Sequence, residues 1–173
     1  MGNWQLVANA GTREKKLRSF LGGEYDYDIH ANTYGLRAVN TQKLAYFTNR
    51  LVLGSDYSSW SREVFGTYGS LATQSSRALY FRDELTLAGT KTLLTVGART
   101  EQINKQSTAA TAGLADRQNA WELGIRQPLN EQVSVYSRVG DSFRLANVDE
   151  FGYTSPGKFL LPQRSKDTEL GST

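Results

Sequence analysis

The chain has no cysteine and a single histidine, His30, among its 173 residues. The first absence rules out a disulfide frame, a thiolate metal site and a cysteine nucleophile. The second rules out a His-rich metal cluster or a two-His zinc motif. No stretch approaches eighteen consecutive apolar residues, so no transmembrane helix is encoded. The opening "MGNWQLVANAG" lacks the basic start and apolar block of a secretory signal, so the sequence reads either as cytoplasmic or as a piece of something longer. Charge of one sign is also scarce. Twenty Lys and Arg face seventeen Asp and Glu, and the resulting +3 is spread too thinly to argue for nucleic acid. The apolar fraction of 39% is low for a packed soluble domain, as is the mean hydropathy of −0.49.

What remains is sixteen glycines, nine tyrosines, seven phenylalanines and three tryptophans, with only three prolines. Many aromatics and glycines with few long apolar runs suit strands joined by polar loops. Helix signals are weak throughout, whereas period-two alternation recurs at even spacing. It predicts eight strands, at 3–14, 27–39, 43–57, 76–87, 91–103, 119–129, 131–143 and from 165 to the end. In the first, Trp4, Leu6, Ala8 and Ala10 share a face opposite Gln5, Val7 and Asn9. In the third, Leu51, Leu53 and Tyr57 alternate with Arg50, Gly54 and Asp56.

The predicted links alternate in length. "NTQ", "AGT" and "NE" are short; "KKLRSFLGGEYD", "SSWSREVFGTYGSLATQS", "NKQSTAATAGLADRQ" and "RLANVDEFGYTSPGKFLLPQR" are long. An up-and-down meander with tight turns at one end and long loops at the other has this form, and it is the arrangement of a transmembrane β-barrel. A soluble sandwich mixes hairpins with crossovers. One face of each strand also tolerates charge: Arg50 with Asp56, Arg82 with Glu84, Arg99, Glu122 with Arg126, and Arg138 oppose the apolar residues. In a dry core that set would be costly, but lining a wet interior it is not. Trp4, Tyr46, Tyr57, Trp121 and Tyr136 are candidates for interfacial girdles.

"GDSFRLANVDEFGY" followed by "LLPQRSKDTELG" resembles the barrel of TonB-dependent outer-membrane receptors. The matching positions are Phe143, Arg144, Ala146, Asn147, Asp149, Glu150 and Phe151, then Pro162, Gln163, Ser165, Lys166, Glu169, Leu170 and Gly171. "NRLVLGSDY", "SRALYFRDELTL" and "LLTVGARTEQ" are similar to strands of the same family in the same order, so the resemblance covers about residues 43–173. It implies an all-β fold: an antiparallel up-and-down transmembrane β-barrel segment of about eight strands from a roughly 22-stranded barrel, or an open curved sheet. Residues 1–173 then form a partial barrel domain without plug, signal peptide or terminal strands. "DSFR" becomes the extracellular end of a strand, and "LANVDEFGYTSPGKF" a loop over the barrel mouth.

The implied activity is uptake of an iron chelate, a ferric siderophore above all, captured by extracellular loops in the outer membrane of a Gram-negative bacterium. Outer-membrane lipid surrounds such a barrel, TonB engages the full-length receptor only, and no nucleic acid takes part. A bulky anionic chelate calls for aromatic and cationic side chains. Tyr57, Trp60, Arg62, Phe65 and Tyr68 offer them in one loop; Arg144, Phe151, Tyr153 and Lys158 in another. His30 lies in a strand without a partner motif and reads as a plain interior residue.

Nothing points to an enzyme or a cofactor. Asp83–Glu84 and Asp149–Glu150 are adjacent, so each pair splits between opposite faces if extended. No Gly-x-Ser-x-Gly elbow is present. "LGGEYDYD" and "NVDEF" lack the spacing of a calcium loop. Two alternatives stay open: a complete eight-stranded outer-membrane barrel with a structural or adhesive role, and a soluble lipocalin-like module, whose interior should be apolar.

Overall fold

The computed structural model describes residues 3–19, 26–67, 69–146 and 158–173. They form one antiparallel sheet in chain order: β1 (Asn3–Leu17), β2 (Tyr27–Lys43), β3 (Phe47–Val64), β4 (Ser70–Leu87), β5 (Leu93–Ser107), β6 (Leu114–Pro128), β7 (Ser134–Arg144) and β8 (Gln163–Ser172). Each strand pairs only with its sequence neighbours, and β1 does not pair with β8, so the sheet stays open along both edges. The closed eight-stranded barrel is therefore not the arrangement adopted.

The register assigns every strand residue to a face. Leu6, Ala38, Leu53, Phe81, Ala98 and Trp121 lie in one row; the next row on the opposite face holds Val52, Arg82, Gly97 and Glu122. One face is thus apolar and the other charged, as the alternation predicts. The charged face would be untenable as a dry core, which sets aside the lipocalin-like alternative. Large apolar side chains stay open to the surroundings on the first face: Leu6 is 73% exposed and Leu79 62%. A soluble protein of this size rarely leaves so continuous an apolar surface uncovered, whereas a lipid-facing sheet requires it.

The apolar band crosses the ladder obliquely. Its last member toward the end bearing the long connections is Tyr34 on β2, Tyr57 on β3, Leu79 on β4, Ala98 on β5 and Trp121 on β6, each level with or below the one before in register; on β7 the same face continues past Asp141 to Phe143. Strands tilted against a membrane produce this drift. Two carboxylates stand on this face at the level of the band: Asp83, whose Oδ1 accepts from Asn49 Nδ2 at 2.6 Å, and Asp141, which faces Trp121 and Lys166 across the ladder. Trp4, Tyr57 and Trp121 lie on the apolar face, where girdle residues belong. Tyr136 does not: it pairs with Arg126 on the charged face, so the girdle expectation fails for it.

The strands overshoot the predicted ends. β3 and β4 pair without interruption up to Val64 and Ser70, which leaves 65–69 as their connection, and β5 and β6 close to 108–113. The first tight turn lies at 44–46 rather than at "NTQ". The alternation of link lengths was largely an alternation in where the apolar period stops. Beyond the band both faces are polar, so hydrophobic alternation vanishes while the backbone ladder continues.

Candidate functional site

The charged face divides into two zones. Toward the short turns lies a lattice of alternating charge. Arg50 reaches Glu84 at 3.2 Å, Glu84 takes Arg82 at 3.1 Å, Arg82 approaches Glu122 at 3.7 Å, and Glu122 holds Arg138 at 3.2 Å. The chain of ion pairs spans β3 to β7, and it crosses β5 because Gly97 has no side chain there. A Cβ at Gly97 would meet Glu122 Cγ and Oε1 at 3.3 Å. Higher on the same face, Arg99 bridges β3 and β5 by pairing with Asp56 at 2.8 Å and with Glu101 at 3.0 Å. Its guanidinium stands 5.6 Å from the Tyr80 ring, and that ring lies over Gly54, where a Cβ would collide with it.

The second zone, at the long-connection end, has a different character. From β1 to β5 its uppermost rows present Arg13, Lys15, Arg62 and Lys105 and no carboxylate; Glu14, Asp28 and Glu63 alternate onto the opposite face. Tyr27 anchors the zone: Lys15 Nζ, from β1, is 5.4 Å from its ring centroid and Arg62 Cζ, from β3, 4.8 Å. Trp60 lies one pair below Arg62 on this face, half-buried between Ala31 and Gln74. Arg18 caps the rim, with its guanidinium 5.3 Å from the Phe65 ring and an ion pair to Asp28 at 2.6 Å. That hydrogen bond, foremost, raises the Arg18 pKa above its ordinary value. Lys105 is buried, and its ammonium donates to the carbonyl of Ala146, which fastens the start of the 145–162 connection onto β5.

The expected ligand contacts separate on this geometry. Trp60 and Arg62 share the second zone but lie within β3 rather than in a loop. Arg144 ends β7 on the charged face, where its Nε donates to Gln163 Oε1 at 3.2 Å. Tyr57 points the other way and stacks on Tyr34 at 6.2 Å on the apolar face, which removes it from the cluster. Its alternation with Asp56 already placed it there. Phe65 stands at the rim, and Lys158 is exposed in the connection before β8. Tyr68, Phe151 and Tyr153 lie outside the described residues. Lys15 and Tyr27 escaped sequence reasoning, because the signal was pairing across strands rather than proximity in sequence. Asp83 and Glu84 do face opposite ways, which precludes a paired-carboxylate site. No cluster of metal-ligating side chains occurs among the described residues.

Residues 3–173 match the family model for the TonB dependent receptor-like β-barrel. The chain belongs to that family. Among solved structures it is similar to BauA, the ferric preacinetobactin receptor of Acinetobacter baumannii, at a TM-score of 0.71 and 16% identity over 97% of this chain and 32% of that one. The siderophore receptor PiuA of the same organism gives 0.71 and 15% over 94% and 30%. The ferric citrate transporter FecA in its unliganded form gives 0.62 and 16% over 99% and 29%. The chain thus spans about a third of the length of these receptors. No curated protein matches it. In a TonB-dependent receptor barrel the apolar face is the outside and the charged face the lumen, and the long connections are extracellular. The cationic–aromatic zone lies on the charged face at the long-connection end, the position that such barrels give to the extracellular mouth of the lumen.

Proposed function

We propose that the chain forms part of the wall of an outer-membrane receptor that captures an anionic iron chelate, a ferric siderophore, for TonB-dependent uptake, and that it is not an enzyme. The observation that carries this reading is the carboxylate-free zone at the lumenal mouth, where Lys15 and Arg62 flank Tyr27 with Trp60 beside them. Such a surface suits a large, flat, negatively charged complex: guanidinium and ammonium groups complement its charge, and the rings supply contact area at low entropic cost. Arg144, Tyr68, Phe151 and Tyr153 are further candidate contacts for the chelate by side-chain chemistry. TonB itself engages elsewhere in the full receptor.

Trp60 fluorescence tests this in a Trp4→Phe/Trp121→Phe background folded in zwitterionic micelles, with ferric citrate and a ferric tris-catecholate as probes. Saturable quenching is expected from both. Lys15→Ala/Arg62→Ala should weaken it at least about tenfold, or about 1.4 kcal/mol. Quenching that an uncharged ferric chelate reproduces equally would overturn the proposal.

A further inference from the structure

The outward face of β4–β6 carries a second feature, distinct from the lumenal mouth. Phe81, Ala98 and Trp121 are register partners in one row, so the lone methyl of Ala98 lies between two aromatic side chains. The result is an open slot of about 550 Å³ whose upper end reaches Leu79, Thr100 and Asn119. Phe81 and Trp121 remain 39% and 42% exposed along it. One row further toward the extracellular end come Arg77, Gln102 and Arg117, again register partners and all exposed. This is the level at which the apolar band ends on β2 and β3: Arg77 stands 5.8 Å from the Tyr57 ring, itself stacked on Tyr34.

We propose that this strip binds one lipid of the surrounding outer leaflet, with an acyl chain in the slot over Ala98 and an anionic phosphoryl head group between Arg77 and Arg117. The two arginines lie two strands apart, about 10 Å at the backbone. Their long side chains can converge on a phosphoryl group above Gln102, whose amide supplies a further donor. Thr100 and Asn119 lie between slot and cations, where ester or sugar oxygens of such a lipid would sit. Neither of these two rows contains a carboxylate; the outward Asp141, on β7, faces Lys166 across the ladder. A row needed only for solubility would not have to set its cations directly above an aromatic-walled slot.

The test uses the 173-residue chain as Trp4→Phe/Trp60→Phe, leaving Trp121 as reporter, in maltoside micelles. Brominated-chain phosphatidylglycerol and brominated-chain phosphatidylcholine are titrated in. Quenching by the anionic lipid should half-saturate at least about fivefold lower, and excess inorganic phosphate should not displace it. Arg77→Gln/Arg117→Gln, exposed substitutions that spare the ladder, should bring the two lipids within about twofold. Ala98→Leu, which fills the slot, should weaken quenching by both. Equal quenching by the two lipids before substitution, or an anionic preference that survives loss of both arginines, would overturn the proposal, as would displacement by free phosphate. Failure here leaves the Trp60 titration untouched, since that reporter faces the lumen.

Discussion

Gly54 and Gly97 show what single positions contribute to this sheet. Both are strand residues on the lumenal face, where an absent side chain gives a neighbour room to cross. Gly54 accommodates the Tyr80 ring beneath the Arg99–Asp56 bridge, and Gly97 lets Arg82 meet Glu122 over β5. Gly54→Val should destabilise the sheet by about 1–3 kcal/mol, the usual range for overpacking. Adding Tyr80→Ala should recover a large part of that loss in a double-mutant cycle read by urea unfolding from micelles. Simple additivity would show that the ring is not what a β-carbon meets. The lumenal ion pairs are a different matter. Arg50, Arg82 and Arg138 are about half exposed, so each exposed pair is worth no more than about 1 kcal/mol and fades with salt. Their lattice organises the surface more than it stabilises the fold.

At the scale of the strand, sidedness is the property to challenge. Leu53 lies outward between Ala38 and Phe81; Thr95 lies inward beside Glu84. Leu53→Arg should cost about 2–4 kcal/mol in vesicles, the range for a cation on the lipid face. Thr95→Arg, next to a carboxylate in a wet lumen, should change stability by less than about 1 kcal/mol. Equal costs would contradict the assignment of faces. The overshoot of β3 and β4 can be tested independently. Backbone amides over 58–64 and 70–75 should exchange slowly in deuterated buffer, because each strand is central in the sheet there. Ser61→Pro should remove a ladder bond and loosen His30 and Thr73, its register partners. Fast exchange throughout these residues would return them to loop.

For the whole molecule the decisive fact is that β1 and β8 each leave one edge unpaired. Unsatisfied backbone groups at lipid depth cost several kcal/mol apiece, so an open sheet cannot persist alone in a bilayer. The chain in micelles should therefore self-associate through its edges, which sedimentation and cross-linking between β1 and β8 cysteine substitutions would register. A monomer with exchange-protected β1 amides would argue for some other closure. For the same reason the chain alone should not restore TonB-dependent uptake to a receptor-deficient cell, and measurable uptake would refute that expectation.

The amino-acid sequence by itself determined the strands along the apolar band, their order and which face is apolar. These follow from a period of two in hydrophobicity, and that period is local. "LVL", "ALYF" and "AWELGI" each declare an outside and an inside without reference to any other strand. It also carried the family, through short patterns around "DSFR" and "SKDTELG" that the match over 3–173 confirmed. Above the apolar band that legibility ended. "SSWSREV" has polar residues on both faces, so nothing local distinguishes strand from loop; only the ladder with β2 and β4 decided it, and with it the orientation of Trp60 and Arg62. The partnership of Lys15, Tyr27 and Arg62, and the slot between Phe81 and Trp121, likewise belong to the tertiary structure. They join residues far apart in the chain, and interstrand register, which no single strand specifies, brings them together.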